Sequence, residues 1–338
     1  MNSQFFPSPR PVLSSMTQPV ATIMIDTEED FDWDLPVEGT SQSTSYLSHV
    51  SELQTILAAH NIAPTYLVTY PVLQNPTIVS IFRRLNETGR CTLGLQLHTW
   101  VTPPFSGAAE SRNSFSGNLA PDIEAEKLAC QVAKFIDCFG MKPRIFRAGR
   151  YGLSTHTAAL LEKFEFDIDT SIAPRTSMID EDGPDYSDYD CSPFWFGKHR
   201  EILELPLCRS IVGWGGAKKA ALYHASNRLG LKGSRIAGLL AGSGLAERIT
   251  LSPEGNDLNA MRRLVRSLIR RGQMILPLSF HSSSLWPGRN PYVRDRADLH
   301  WFYDRLSAIL CALSDEFNCR FVSAQEIPAL LRGSAGRP

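Results

Sequence analysis

The sequence has no paired cysteines. Its 338 residues include seven cysteines, but no two of them form a Cys-x-x-Cys pair, and the number is odd. This pattern argues against a zinc ribbon and against a complete disulfide framework. A reducing compartment is the simpler interpretation, so we expect a cytoplasmic protein. The cysteines are Cys91, Cys130, Cys138, Cys191, Cys208, Cys311 and Cys319.

Long apolar runs and an excess of one charge are also missing. No stretch reaches the roughly 18 apolar residues of a membrane span, so we expect no span. Residues 1–18 contain one basic residue, Arg10, and do not meet the pattern of a secretory signal; we expect a disordered leader there. The 34 Lys and Arg against 35 Asp and Glu give a net charge of −1, which provides no long-range field for nucleic acid or anionic membranes. Specificity must therefore come from a local site.

Short apolar runs alternate with helical patterns along the chain. This alternation predicts repeated βα units, a mainly parallel sheet and an α/β fold. The apolar share of 43% is enough for one large core, and no repeat or composition shift marks a second domain. We therefore predict a single domain over residues 19–332. The predicted strands are Val20–Asp26, Thr65–Thr69, Thr92–His98, Arg144–Ala148, Phe166–Ser171, Glu201–Leu207, Ile249–Ser252, Met274–His281 and Arg320–Ser323.

Helices are predicted between these strands. The first has apolar positions from Leu47 to Leu57 on one face, and another stops at Gly140, a common position for a C-terminal glycine. Segment 217–245 also has a helical pattern, whereas 106–121 and 180–190 are predicted loops. The helix that stops at Gly140 is Asp122–Phe139, and the remaining predicted helices are Ile78–Leu85, Ser154–Phe164, Asp257–Arg271, Asp298–Leu313 and a short one to Leu331.

Polar side chains end four of the predicted strands. In an α/β barrel, functional groups lie at the carboxyl ends of the strands, which meet on one face. Carboxylate, imidazole and guanidinium groups are therefore expected to converge on one mouth. The four strand ends are Asp26–Asp34, Gln96–His98, Arg147–Gly152 and His281–Ser284.

The acidic strand end combines an ordinary and an unusual feature. Six carboxylates in nine residues are, taken alone, typical of a solvated loop. Asp26 differs because it directly follows the apolar run Ala21–Ile25, where a charge needs a partner or a metal. Asp26 and Glu28 are two apart in an extended chain and point to the same side. One of them can bind a cation while the other acts as a base on a water that the cation holds.

Two histidines end apolar strands. A lone histidine at such a position is more often a hydrogen-bonded core residue than a ligand, and this alternative applies to both His98 and His281. The conjunction of four polar strand ends favours the functional interpretation. Gln96 shares the face of His98 and can coordinate or orient a ligand through its carbonyl.

The Arg147 strand end adds a guanidinium and a candidate groove. Arg147 is either a structural partner of the acidic residues or the group that stabilises the ionised form of a base. Arg150 and Tyr151 lie beside glycines, so backbone and rings can line a groove there. Flat aromatic faces after the same strands are candidates for stacking on sugar rings, although each alone is more often packing. These aromatic residues are Trp33, Trp100, Phe105 and Trp286.

Four motifs occur in order between Ile23 and Ser284, namely Ile23–Trp33, Gly94–Phe105, Phe146–Gly152 and Leu278–Ser284. Together they resemble polysaccharide deacetylases of the NodB-homology type, carbohydrate esterase family 4. They look closest to the branch named for WalW, which is found with polysaccharide biosynthesis genes. The resemblance covers most of the chain.

The resemblance implies a distorted (β/α) barrel and metal-assisted hydrolysis of the N-acetyl groups of amino sugars in a glycan. In that family the leading Asp of the first motif is the catalytic base, which matches Asp26, and the second carboxylate is a metal ligand, which matches Glu28. The third-motif arginine, which tunes the base, matches Arg147. The last-motif histidine, the general acid, matches His281.

The second motif departs from the family pattern, which has two metal-binding histidines four residues apart. If the preceding glycine is matched to Gly94, these positions fall on Gln96 and Trp100; if the His-Thr pair is matched, they fall on His98 and Thr102. At most one expected histidine is present. The resemblance thus leaves Glu28 and His98 as ligands for a divalent metal (Zn, Co or Mn), and Gln96, Trp100, Arg150 and Tyr151 as substrate-binding candidates.

Three functions remain open. The leading hypothesis is N-deacetylation of an amino sugar in a polysaccharide or glycan precursor, in which Asp26, with or without a metal on Glu28 and His98, activates water and His281 protonates the departing amine. The second is a glycan-binding barrel that has kept the groove and lost activity. The third is a glycosidase with Asp26 and Glu28 as its carboxylate pair. Their two-residue spacing on one strand makes it awkward for them to flank a glycosidic bond.

Overall fold

A computed structural model describes residues 5–12, 16–31, 33, 42–105, 111–213 and 246–335. The predicted helix over 217–245 lies outside these residues. Among the helices within them, none has the length and apolar character needed to cross a membrane.

The described strands are mostly short, and the two longest carry catalytic candidates at their ends. They are β1 (Arg10–Pro11), β2 (Val20–Thr27), β3 (Thr65–Val68), β4 (Thr92–Leu97), β5 (Ile145–Ala148), β6 (Ile168–Asp169), β7 (Phe194–Phe196), β8 (Ile202–Glu204), β9 (Arg209–Val212), β10 (Glu247–Thr250), β11 (Ile275–His281) and β12 (Arg320–Phe321).

Helices separate most of these strands, as the alternating pattern predicts. They are α1 (Val50–Ala59), α2 (Tyr70–Gln74), α3 (Pro76–Glu87), α4 (Pro121–Phe139), α5 (Thr157–Lys163), α6 (Leu258–Ile269), α7 (Arg296–Cys311) and α8 (Ile327–Ala335). Helix α4 ends at Gly140 in the left-handed conformation, with φ of 69°, as predicted. Helix α6 begins at Asp257, whose side chain accepts a hydrogen bond from the backbone of Ala260.

The main sheet has the order β1-β7-β8-β6-β5-β4-β3-β2-β11, and β12 pairs with the start of β2. Strands β2 to β6, β8, β11 and β12 pair in parallel, which confirms the predicted α/β class with mainly parallel strands. Every residue of β2 is buried, as expected of a strand covered on both faces. Because the strands are parallel, their carboxyl ends lie along one edge.

The gap between β8 and β11 is bridged by backbone hydrogen bonds outside the main sheet. Leu251 donates to the carbonyl of Cys208 over 2.8 Å, and Ser279 in β11 donates to the carbonyl of Leu251 over 3.2 Å. The barrel is therefore distorted at this point. The strand predicted at Ile249–Ser252 is β10, but it pairs antiparallel with β9 in a separate two-stranded sheet rather than in a further parallel unit.

Part of the predicted disordered leader is packed on the domain. Phe6 is 2% exposed, and its ring contacts the rings of Phe194 and Phe196. Arg10 and Pro11 pair antiparallel with β7. The expectation of disorder is therefore wrong for this stretch, because its two phenylalanines supply apolar area that the core buries.

Candidate active site

The end of β2 carries a buried ion pair. Asp26 and Arg147 are both almost fully buried, and Nη1 of Arg147 donates to Oδ1 of Asp26. Arg147 is held from its other side by Thr170, whose hydroxyl accepts from Nε over 2.9 Å and from Nη2 over 2.6 Å. A buried guanidinium with all these partners has one orientation, so it fixes the Asp26 carboxylate.

The end of β11 carries a second pair, formed by the partly exposed His281 and the buried Glu254. Nδ1 of His281 lies 2.8 Å from Oε2 of Glu254, and the backbone N–H of His281 donates to Oε1 over 2.9 Å. Ser284 also donates to Oε1, over 2.5 Å. Burial alone would lower the pKa of His281, but the attraction of nearby carboxylates, chiefly Glu254, outweighs it and raises the pKa to about 10. The imidazole is thus protonated at neutral pH and is equipped to act as an acid.

The two pairs face each other. The register of β2 and β11 places Asp26 directly beside His281, and Oδ2 of Asp26 lies 3.6 Å from Nε2 of His281. The other carboxylate oxygen and the other ring nitrogen are taken by Arg147 and Glu254. An acceptor oxygen and a protonated ring nitrogen therefore meet at one point, each held by a separate partner.

Glu28 lies beside this pair but is less completely satisfied. Its backbone is fixed by Ser282 and Tyr46: its N–H donates to the Ser282 hydroxyl over 3.2 Å, and its carbonyl accepts from the Tyr46 hydroxyl over 2.7 Å. Its carboxyl is 2% exposed, and within the described residues Oε1 has no hydrogen-bond partner. Burial raises the pKa of Glu28 well above its ordinary value, against the attraction of His281. The protonated form is favoured.

His98 is enclosed between two carboxyl groups and a ring. Its Nδ1 lies 2.8 Å from Oε1 of Glu29, and its Nε2 lies 3.7 Å from Oε2 of Glu28. The Trp100 ring stacks on the imidazole at 4.1 Å, and a Cβ on Gly149 would come within 2.7 Å of His98 Cδ2. Burial alone would raise the pKa of Glu29, but His98 lowers it below its ordinary value. Glu29 is thus the ionised partner of His98.

The predicted metal ligands fit a tight metal site poorly. Glu28 and His98 present Oε2 and Nε2 to each other, which are atoms that Zn²⁺ accepts. Within the described residues, however, no group of three or more His, Cys, Asp and Glu side chains is arranged to hold a metal ion. Tight zinc sites use three or four protein ligands, and a ligating carboxylate must be deprotonated. The two donors that Glu28 and His98 supply fall short of that number of ligands.

The four substrate-binding candidates lie in different environments. Gln96 is 4% exposed, and its Oε1 has no hydrogen-bond partner among the residues described. The Tyr151 ring lies 5.7 Å from the Arg147 guanidinium, beside the ion pair. Trp100 is 9% exposed with one face against His98, so that face is not open to a sugar.

Arg150 is turned toward neighbouring loops. It donates to Ser114 over 2.7 Å, pairs with Glu181, and lies over the Phe115 ring at 4.2 Å. These contacts differ from the expectation that Arg150 lines the groove. The backbone explains the difference, because Arg150 has a φ of 51° within a 3₁₀ turn that redirects its side chain.

Sequence reasoning missed two residues of this site. Glu254 follows the strand predicted at Ile249–Ser252, and the signal available was a carboxylate just after an apolar run. Glu29 was hidden in an acidic run that is usually solvated, yet it is fully buried.

A cavity of about 800 Å³ lies behind the segment that follows Tyr151, and its walls include Phe115, Leu153 and Asp182. None of the predicted site residues lines it. The candidate chemistry and the cavity are therefore separate features.

Known proteins resemble this chain in structure rather than in sequence. No protein-family model and no curated protein matches the sequence. A crystal structure of a Mycobacterium smegmatis protein, provisionally assigned as a polysaccharide deacetylase, is similar with a TM-score of 0.53 and 17% identity, over 99% of this chain and 97% of that one. The crystal structure of Puue allantoinase is similar with a TM-score of 0.55 and 12% identity, over 94% of this chain and 92% of that one. The chain therefore shares the fold of these two proteins, a NodB-type (β/α) barrel, as its motifs predict.

Proposed function

We propose that the protein is a hydrolase that removes acetyl groups from N-acetyl amino sugars in a glycan. The observation that supports this most strongly is the facing pair of Asp26 and His281, each held by its own buried partner. Amide hydrolysis needs a base for the attacking water and an acid for the departing amine. The resemblance to polysaccharide deacetylases assigns these roles to the same two residues.

In the proposed reaction, Oδ2 of Asp26 takes a proton from a water, whose oxygen attacks the acetamide carbonyl. Arg147 keeps the carboxylate in position through Oδ1. Nε2 of the protonated His281 then gives its proton to the amide nitrogen as the C–N bond breaks. The products are acetate and a free amino sugar. Glu254 holds the other ring nitrogen, so the imidazole points its remaining N–H at the reacting group.

The poor fit to a metal leaves the Glu28 and His98 side without an assigned chemical step. We place no step of the reaction on a divalent ion. The finer assignment to the WalW branch is part of this proposal and rests on the same four motifs.

A glycan-binding barrel without activity is the second candidate. The observation that favours it is the incomplete ligand set, since Glu28 and His98 are the two donors present where the family pattern has more. Such a protein would bind acetylated oligosaccharides and release no acetate.

One assay separates these candidates. Purified protein is incubated with N-acetylated oligosaccharides, with and without Zn²⁺, Co²⁺ or Mn²⁺, and acetate, free amines and new reducing ends are measured together. Deacetylation predicts equal amounts of acetate and amine without new reducing ends. Binding without acetate release would overturn it in favour of the binding protein, and new reducing ends would indicate a glycosidase.

A further inference from the structure

An exposed tyrosine is held in a fixed position after β11. Tyr292 is 41% exposed. Its backbone N–H donates to Oδ1 of Asn290 over 3.0 Å, and that of Val293 donates to the same oxygen over 2.9 Å. Gly288 closes the turn by donating to the carbonyl of Val293 over 2.8 Å. An exposed ring on such a turn loses little freedom when a ligand covers it.

The same turn is tied to the proposed catalytic acid. Asn290 is buried, and its Nδ2 donates to the hydroxyl of Ser284 over 2.6 Å. Ser284 donates to Glu254, and Glu254 holds His281. One chain of buried hydrogen bonds therefore fixes both the imidazole and the turn that carries Tyr292.

The rings form a wall that leads outward from His281. The Trp33 ring meets the imidazole edge to face at 4.9 Å, and the Tyr292 ring meets the Trp33 ring at 6.2 Å. Tyr292 also covers Gly255, where a Cβ would approach its Cε1 to 3.3 Å.

We propose that Tyr292 is a substrate-positioning residue, whose ring stacks on the sugar that carries the scissile acetamide. This inference rests on the proposed function and adds its ligand class, an amino sugar ring on the amine side of the bond. His281 delivers its proton to that side, and the wall begins at His281. A flat aromatic face suits a pyranose, whose C–H faces can stack on it.

The test compares Tyr292→Ala and Tyr292→Phe with a matched control, Trp301→Ala, which removes a ring that is 60% exposed on α7. Acetate release is measured with an N-acetylated oligosaccharide and with 4-nitrophenyl acetate, which has no sugar ring. We expect Tyr292→Ala to raise KM for the oligosaccharide about tenfold, the equivalent of about 1.4 kcal/mol of lost stacking. We expect Tyr292→Ala to leave three quantities unchanged: kcat for the oligosaccharide, the pH at which activity falls as His281 loses its proton, and the rate of hydrolysis of 4-nitrophenyl acetate. We expect Tyr292→Phe and Trp301→Ala to resemble wild type.

Two results would overturn the inference. One is an unchanged KM in Tyr292→Ala; the other is an equal loss of activity toward the oligosaccharide and 4-nitrophenyl acetate, together with a shift in the pH at which activity falls. The second would mean that Tyr292 acts only through Asn290 and Glu254. If the wild type releases no acetate, the affinity for the oligosaccharide is measured by calorimetry instead of KM. Weaker binding by Tyr292→Ala would then uphold the subsite while the proposed reaction fails, and unchanged or undetectable binding would overturn the subsite too.

Discussion

The two sides of the candidate site differ in how completely their groups are paired. On one side, Asp26 and His281 each have a buried partner of opposite charge, Arg147 and Glu254. On the other side, Glu28 keeps an oxygen without a hydrogen-bond partner among the described residues, at the place where the family pattern has a metal. Among the described residues, the proposed base and acid therefore each have a charged partner, whereas the two donors proposed for a metal do not form a full ligand set.

The largest effect should follow from the loss of the acid. His281→Ala removes the group that protonates the departing amine, and we expect kcat/KM for acetate release to fall about 10² to 10⁴-fold. His300→Ala, at a histidine that is 76% exposed on α7, is the matched control and should retain activity. Circular dichroism checks that both variants fold. Full activity in His281→Ala would show that His281 is not the acid of the reaction.

Breaking the pair at Asp26 should mainly affect stability. Arg147→Met leaves a buried carboxylate without its partner, so we expect the free energy of unfolding to fall by about 3–5 kcal/mol, as for other buried pairs. Urea denaturation measures this change. Lys142→Met, at the exposed pair with Glu165, should change it little. Similar small changes in both variants would show that the Asp26–Arg147 contact is not a strong one.

Changing the partner of His281 should move the pH profile. The acid form of His281 is required, so activity is lost as pH rises through its pKa of about 10. Glu254→Gln removes the main attraction that keeps the proton, and the high-pH limb of kcat/KM should therefore move to lower pH. An unmoved limb would mean that another group is the acid.

The smallest effect should follow from metal removal. Because the described residues offer two donors, we expect dialysis against a chelator to change kcat/KM far less than His281→Ala does. Metal analysis of the protein before and after dialysis is the control. Complete loss of activity that Zn²⁺, Co²⁺ or Mn²⁺ restores would show that the second side holds a functional ion.

The sequence predicts Asp26 and His281 better than it predicts Glu254, the partner of His281. Asp26 and His281 end long apolar strands, and the carboxyl ends of parallel strands meet, so their proximity follows from local pattern. Glu254 could not be found this way, because it follows a strand that pairs antiparallel outside the main sheet. Its contact with His281 depends on tertiary structure across 27 residues.

The fold, like the site, is predictable from the sequence only where local sequence determines it. The end of helix α4 at Gly140 and the parallel pairing of the strands follow from local chemistry. The packing of Phe6 on β7 depends on a distant partner, so the two phenylalanines of the leader do not by themselves predict it. The enclosure of His98 also depends on residues from three separate segments, including Glu29 and Gly149.

The most direct test compares two carboxyl groups that are two residues apart. Acetate release by Asp26→Asn and Glu28→Gln is measured side by side at neutral pH. Asp26→Asn should lose about 10²-fold or more in kcat/KM, because it loses the base. Glu28→Gln should stay close to wild type, because burial favours the protonated form of Glu28, which glutamine mimics. Equal losses in the two variants, or loss in Glu28→Gln alone, would contradict the assignment of the chemistry to Asp26 and His281.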